Sequence, residues 1–160
     1  MKPMRKASRQ KDAAWALEVF DKAPYVTVSM TRPDGTPYGL PLSLCRKDDR
    51  TFYFHCAPDG EKLDCLKCNP MVSLSAVSRC TPKYEEEKNN FTEYFHSAVA
   101  IGRADTVEDD AEKTEALRLL CERFLPKHMD HFNEAIERSL RRTTIVRITL
   151  TEPPVGKCKP

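Results

Sequence analysis

The sequence contains no apolar run of about 18 residues, so it does not predict a membrane-spanning helix. It also has little net charge. It contains 26 Lys and Arg and 24 Asp and Glu, and a formal charge of +2 does not favour nucleic acid or an anionic membrane as a partner. The opening residues, MKPMRKASRQKD, lack the apolar stretch of a secretory signal. We therefore expect a cytoplasmic protein that binds neither nucleic acids nor membranes.

Internal repeats and low-complexity segments are also missing, and a length of 160 residues favours one domain. The basic residues near the start predict a solvated tail over residues 1–11, followed by a single domain over residues 12–160. The seven cysteines are odd in number, and several fall inside periodic segments. Without an export signal this pattern favours reduced thiols over a disulfide framework.

The spacing of apolar residues predicts a mainly β chain with flanking helices. "YVTVSMTR" alternates apolar and polar residues as a half-buried strand does, and "DAAWALEVFDKAP" places Trp15, Ala16, Val19 and Phe20 on one helical face behind Asp12 as a cap. Predicted strands lie at 25–32, 36–47, 51–57, 71–80, 92–107 and 143–152. Predicted helices lie at 12–24, within 58–69, at 108–126 and at 130–140. Residues 84–90 are expected to form an exposed loop and residues 153–160 a polar tail.

The order of these elements predicts a barrel. Turn-length connections between adjacent strands favour antiparallel pairing. Two prolines in the strand at 36–47 favour an edge or a bulge, because proline cannot donate to a ladder, and Gly102 predicts a bulge or bend in the fifth strand. Six strands of this length most easily close into a small barrel with helices packed outside.

The motif Cys65-x-x-Cys68 has three interpretations. Residues three apart on a helix are neighbours, so both sulfurs could bind one metal ion, but a structural zinc site needs four ligands and no second pair has matching spacing. A redox dithiol would open a helix after a strand, whereas Cys65 comes well inside its helix. We favour the third interpretation, in which Cys65 and Cys68 are small, partly buried helix residues that only pack. His128 and His131 lack a third ligand nearby, and His96 is expected to be a half-exposed strand residue, so no metal site is predicted.

The segment from His55 to Lys62 is the stronger candidate site. His55 ends a strand, a glycine turn follows, and Lys62 lies in the first turn of a short helix. A helix start with a lysine suits a phosphate, because its unpaired N–H groups and positive potential attract anions. Asp59 and Glu61 would weaken such a site, and a capped helix with a solvated lysine explains the same spacing.

Several motifs, taken together in order, resemble the pyridoxamine 5'-phosphate oxidase-like proteins, with the nitroimidazole-resistance branch most similar. The pattern is Pro-Leu-small-polar on one strand, aromatic-Phe-His-small on the next, then Gly-x-Lys, a short helix with Leu, and Asn-Pro-x-Val. The chain supplies Pro41, Leu42, Ser43; Tyr53, Phe54, His55; Gly60, Lys62, Leu66; and Asn69, Pro70, Val72. Downstream, "YFHSAVAIGRADTVEDDAEKTEALRLLCERF" resembles the long strand and following helix of the family. The resemblance covers roughly residues 12–158.

This resemblance implies a six-stranded antiparallel split β-barrel with Greek-key-like connections that binds FMN. By position, Pro41, Leu42 and Ser43 would lie along the isoalloxazine ring. Phe54 and His55 would line the flavin site from the next strand.

The resemblance also implies a homodimer in which both subunits contribute to each flavin site. Lys62 would hold the phosphate, and Ser97 would reach the cofactor from the other subunit. Cys65 and Cys68 fall on positions that are not ligands in the family, which leaves the segment from His55 to Lys62 as the working part.

The chain departs from the pyridoxamine 5'-phosphate oxidases themselves. Those enzymes resemble it but carry Arg-Lys where this chain has Glu61-Lys62, and a C-terminal Arg-x-His where it ends "GKCKP". We therefore do not expect vitamin B6 oxidation. The expected function is an FMN-dependent oxidoreductase that reduces a small organic acceptor. His55 is the best catalytic candidate, because an unperturbed histidine pKa of about 6.5 allows proton transfer at neutral pH. The alternative is a non-catalytic module that holds flavin or haem as a sensor or carrier.

Overall fold

The computed structural model describes residues 4–160; residues 1–3, which include Lys2 of the predicted basic tail, lie outside the described residues. The α-helices are α1 (Ala13–Lys22), α2 (Glu61–Cys68), α3 (Asp110–Phe124) and α4 (Phe132–Ser139). The strands are β1 (Gln10–Lys11), β2 (Val26–Thr31), β3 (Pro37–Leu42), β4 (Cys45–Arg46), β5 (Thr51–Cys56), β6 (Met71–Glu85), β7 (Asn90–Val107), β8 (Thr144–Leu150) and β9 (Val155–Lys159). Short 3-10 helices lie at Ala7–Arg9, Glu86–Lys88, Pro126–His131 and Leu140–Arg142.

One bent strand closes the sheet into a split barrel. The strand order is β3-β2-β6-β7-β8-β5-β4, and the described strand pairs are antiparallel. The two ends of this order, β3 and β4, are separated in the chain only by Ser43 and Leu44. The first part of this bent strand therefore pairs with β2 and the second part with β5. The predicted barrel class is confirmed, and the prolines do lie on a terminal strand of the sheet.

The strand count is nine rather than the expected six. The predicted strand at 36–47 is divided into β3 and β4, and β1 and β9 are additional. The prediction of a polar tail at 153–160 is wrong, because β9 pairs with both β7 and β1. Its inward positions are Gly156 and Cys158, which are buried between exposed or half-buried lysines. Because the buried alternate positions are a glycine and a cysteine, the alternation in hydrophobicity is too weak to predict a strand.

The polar segment at 84–90 is the tip of a long hairpin rather than an isolated loop. β6 and β7 pair continuously to Glu85 and Asn90, and the 3-10 helix Glu86–Lys88 joins them. The register shifts between Val77 and Arg79, so the irregularity lies on β6 and not at Gly102 as expected. We name the part of this hairpin beyond the shift, residues 79–96, the arm.

Two apolar cores hold the helices on the barrel. The barrel interior contains Phe52, Phe54, Leu74 and Ile148, and α1 adds Phe20. The second core lies between the barrel wall and the helices α3 and α4; its largest members are Tyr53, Leu117, Leu120, Phe132 and Ile145. As predicted, Asp12 caps α1, its Oδ1 accepting a hydrogen bond of 2.9 Å from the Trp15 amide. Among residues 4–160, the helices are too short and polar to meet the requirements of a membrane span.

Candidate functional site

Two of the predicted site residues, Ser43 and His55, lie where the bent strand separates from β5. Cys45 pairs with Tyr53 and Arg46 pairs with Phe52. Continuing this register would place Ser43 opposite His55, but there the chain turns away to follow β2. The other edge of β5 pairs with β8 along its whole length, with His55 opposite Ile145. Ser43 and His55 therefore flank the closed end of a gap in the barrel wall, and both are exposed.

The end of β5 carries two predicted site residues, Phe54 and His55, and a third, Lys62, lies close to it. Phe54 points inward and is 1% exposed, whereas the next residue, His55, points outward because strand residues alternate. The Lys62 ammonium lies 6.0 Å from the centroid of the Phe54 ring. The structure thus brings Lys62 over Phe54, and of the two β5 residues only His55 presents its side chain to solvent.

Helix α2 begins at this gap. Gly60 precedes it with φ of 120°, a conformation that favours glycine, and accepts hydrogen bonds from the Leu63 and Asp64 amides. Glu61, the next residue, accepts a 2.5 Å hydrogen bond from Nε of Arg32, which comes from the turn between β2 and β3. The Arg32 guanidinium also lies 4.7 Å from the Tyr38 ring centroid and donates to the Pro37 carbonyl. An arginine therefore balances the acidic residue that stands beside Lys62.

Arg32 is a candidate site residue that the sequence analysis missed. It is 29 positions away from Glu61 in the chain, and no motif joins the two. The hydrogen bond from Arg32 to Glu61 ties the β2–β3 turn to the start of α2. Arg32 also restores part of the positive charge that the family resemblance assigns to the position of Glu61.

Pro41 and Ser97 lie on a different surface. Pro41 pairs with Thr27, and Thr27 pairs in turn with Ser75. Ser75 pairs with Val99, two residues from Ser97 on the same side of β7. This cross-strand row belongs to a broad outward face, which Lys157 of β9 borders beside Ser97 and Arg103 borders beside Met71. We name its uncharged part the outer sheet face: Thr27, Ser29, Gly39, Pro41, Ser73, Ser75, Val77, Ser97, Val99 and Ile101. Leu42 faces the other way and packs against the barrel core.

The cysteine and histidine candidates are dispersed. Cys65 is buried in the barrel core, whereas Cys68 is exposed, so the two thiols are in different environments. Among the residues that the structure describes, no three Cys, His, Asp or Glu side chains are grouped as a metal would require. His96 is half-buried, with its ring centroid 5.2 Å from that of Trp15. His128 and His131 are exposed.

A polar cluster fixes α3 beside the end of the barrel. The Tyr53 hydroxyl donates to Glu112 at 2.8 Å, and Arg147 of β8 donates to both oxygens of the same carboxylate at 2.9 and 3.0 Å. Burial, with the hydrogen bond to the Glu112 carboxylate, raises the pKa of Tyr53. The phenol stays protonated and anchors α3 to β5 and β8.

The comparisons with known proteins agree with this fold. Residues 12–155 match the family model described as "Pyridoxamine 5'-phosphate oxidase". Among curated proteins, no sequence matches the chain.

Three solved structures share the fold. A candidate 5-nitroimidazole antibiotic resistance protein from Bacteroides thetaiotaomicron has a TM-score of 0.75 and 20% identity, over 92% of this chain and 87% of that one. The flavocytochrome Anf3 from Azotobacter vinelandii has a TM-score of 0.83 and 19% identity, over 98% and 72%. A FAD and heme binding protein from Mycobacterium smegmatis has a TM-score of 0.80 and 19% identity, over 94% and 73%. Since the family model covers most of the sequence, the chain belongs to the pyridoxamine 5'-phosphate oxidase family.

Proposed function

We propose that the protein binds a flavin, with FMN as the first candidate, at the gap between β3 and β5, and uses it to reduce a small organic acceptor. The observation that carries this proposal is the Arg32–Glu61 pair beside Lys62. It supports an anion site at the start of α2 despite the acidic residue there, because Glu61 is paired with Arg32 while the Lys62 ammonium lies 6.0 Å from the centroid of the Phe54 ring. The similar structures named for flavin or heme binding, and the one named for nitroimidazole resistance, favour the same class of function.

Each site residue has a proposed role in this function. A bound flavin supplies the electron transfer. Lys62, helped by the amide groups at the start of α2, binds the phosphate. Ser43 and the backbone of Pro41 and Leu42 lie along the isoalloxazine ring. The Phe54 ring packs beside the Lys62 side chain. His55, which is exposed at the end of β5, is the proposed proton donor or acceptor.

The same proposal includes a homodimer in which Ser97 of one protomer completes the flavin site of the other. The outer sheet face supports it. Of the eight large apolar side chains that are exposed among residues 4–160, five lie on this face or on its continuation along the same strands: Met71, Val77, Tyr84, Phe91 and Val99. Phe91 is 84% exposed and shares the side of β7 that carries Ser97, because strand residues alternate.

A second copy of this chain is the occupant that this face fits. The outer sheet face itself has no charged side chains that would orient a polar partner. A twofold dimer, in contrast, pairs one patch with the same patch of the second copy. The 18 residues of β7 extend over roughly 60 Å, and the four strands of this face extend over roughly 19 Å. That surface is large enough for the ~800 Å² per partner of a standard interface.

The proposal is tested by the visible absorbance spectrum of the purified protein before and after addition of FMN and desalting. We expect retained flavin bands that Lys62→Ala weakens and Lys127→Ala, on an exposed turn after α3, leaves unchanged. Rapid bleaching by NADPH or NADH, followed by recovery with a nitro compound, supports the oxidoreductase. An intense Soret band favours the haem module instead. A featureless spectrum after FMN addition contradicts the flavin site.

A further inference from the structure

A second cleft lies against α2 and is lined by residues other than those assigned to the flavin. It has a volume of about 530 Å³ and is bounded by α2, the C-terminal end of β7 and the start of β8. Its size is within the usual range for small-molecule sites. Lys62, His55 and Ser43 do not line it. We name it the α2–β7 cleft.

The charge of this cleft is unlike that of the whole protein. Four cationic side chains line it: Lys67, Arg103, Lys113 and Arg141. Only two acidic side chains do so, Asp105 and Glu108. The local excess of two positive charges equals the formal charge of the entire 160-residue chain. Such a concentration of one sign in a concave surface raises the local potential for anions.

The ion pairs within the cleft are loose. Arg103 is 3.5 Å from Asp105, and Lys113 is 3.5 Å from Asp110, both beyond the ~2.8 Å of a direct charge-assisted hydrogen bond. The Lys113 side chain is only 15% exposed, whereas that of Asp110 is 76% exposed. The Lys113 side chain is therefore largely buried, and its ammonium, with this loose and solvated partner, retains the capacity to bind another anion.

The base of the cleft is apolar. Leu63 and Leu66 of α2 and Val107 of β7 line it, and each is buried. Cations at the rim and aliphatic side chains below suit a ligand with a charged head and an apolar body.

We propose that the α2–β7 cleft binds an amphipathic organic anion, with Lys113 and Arg141 contacting its carboxylate or phosphate head and Leu63, Leu66 and Val107 its apolar body. This site is independent of the proposed flavin function, because the residues assigned to the flavin do not line it.

Isothermal titration calorimetry with decanoate and decyl phosphate, below their micellar concentrations, tests this site on the full chain. We expect one binding event per chain that weakens as salt rises, with decanol as the uncharged control binding far less. The variant Lys113→Met keeps the aliphatic stem and removes the charge; combined with Arg141→Gln it should weaken binding by roughly tenfold or more. Lys88→Gln, at the tip of the arm, should leave binding unchanged. A preference between the two ligands identifies the head group.

Three outcomes overturn the proposal: decanol binds as tightly as decanoate, the double variant binds like the parent protein, or FMN competes with decanoate. The last outcome would place the flavin phosphate in this cleft. Circular dichroism and a melting curve of the double variant separate loss of the site from loss of the fold. If the double variant does not fold, the single variant Arg141→Gln, on the exposed turn Leu140–Arg142, is compared with the parent protein in the same titration.

Discussion

Arg32 and Glu61 form a 2.5 Å hydrogen bond between the β2–β3 turn and the first turn of α2. Both side chains remain partly exposed, so the pair contributes little to stability. Its main consequence is electrostatic. Glu61 is adjacent to Lys62, and Arg32 offsets the negative charge that would otherwise oppose an anion there.

Removing Arg32 should therefore weaken FMN binding. We expect Arg32→Gln to raise the dissociation constant roughly three- to tenfold, because it leaves the Glu61 charge unbalanced near the phosphate. Glu61→Gln should tighten binding, and the double variant should return close to the parent value. Titration of FMN fluorescence measures all three. Lys22→Gln breaks a comparable exposed pair with Glu18 within α1 and is the control. Equal affinities for Arg32→Gln and the parent would exclude this role of the pair.

The outer sheet face predicts a dimer that one charge can disrupt. Val99 lies on this face, and Val99→Glu should place two carboxylates against an apolar surface in a twofold dimer. Sedimentation velocity should then show the 18.3 kDa monomer, whereas we expect the parent protein to sediment at twice that mass. Leu125→Glu changes an apolar residue that is even more exposed, outside this face, and should remain dimeric. A parent protein that is monomeric at micromolar concentration contradicts the shared flavin site.

Many elements were predictable from the sequence because each is specified locally. Asp12 caps α1, Val26, Val28 and Met30 alternate on β2, and Pro37 begins an edge strand. Residues 81–91 at the tip of the arm, and β9, were not predicted as strands, for the same physical reason. A hairpin that is exposed on both sides needs no apolar period, and β9 buries a glycine and a cysteine.

The candidate site was likewise predictable only in part. The gap at Ser43 and His55 follows from the order of adjacent strands, and the family resemblance predicted these two residues as part of the site. Contacts that join distant parts of the chain could not be predicted. Arg32 with Glu61 and Tyr53 with Glu112 depend on how the barrel closes, which no short motif encodes.

Gly102 should be required for the packing of β7 against β8. A Cβ at this position would lie 2.6 Å from Cγ2 of Ile148 and 3.0 Å from the Thr149 carbonyl oxygen. Gly102→Ala therefore forces a buried strand apart and should cost about 1–3 kcal/mol. The matched control is Gly39→Ala on the edge strand, where the nearest atom is at 3.6 Å and the change should stay within about 0.5 kcal/mol. Urea unfolding of both variants gives the comparison, and equal stabilities would show that β8 yields to the methyl group.

Arg123 should contribute more to stability than any surface ion pair of the protein. Its guanidinium donates to the Leu44 carbonyl at 2.6 Å, to Phe20 at 2.7 Å and to Ala23 at 2.8 Å. These carbonyls belong to the bend between β3 and β4 and to the end of α1, and their residues are buried. One side chain on α3 thus holds the bend that closes the barrel, next to Ser43.

Arg123→Met leaves these carbonyl groups without their donor and should reduce the free energy of unfolding by about 2–4 kcal/mol. Arg123→Lys should be intermediate, because an ammonium cannot reproduce the planar fork that reaches separate carbonyls. Arg138→Met removes an exposed pair with Glu134 and should cost less than about 0.5 kcal/mol. Urea unfolding measures the three variants. If Arg123→Met unfolds like Arg138→Met, water replaces the guanidinium at the bend, and the closure of the barrel rests on strand pairing and apolar packing alone.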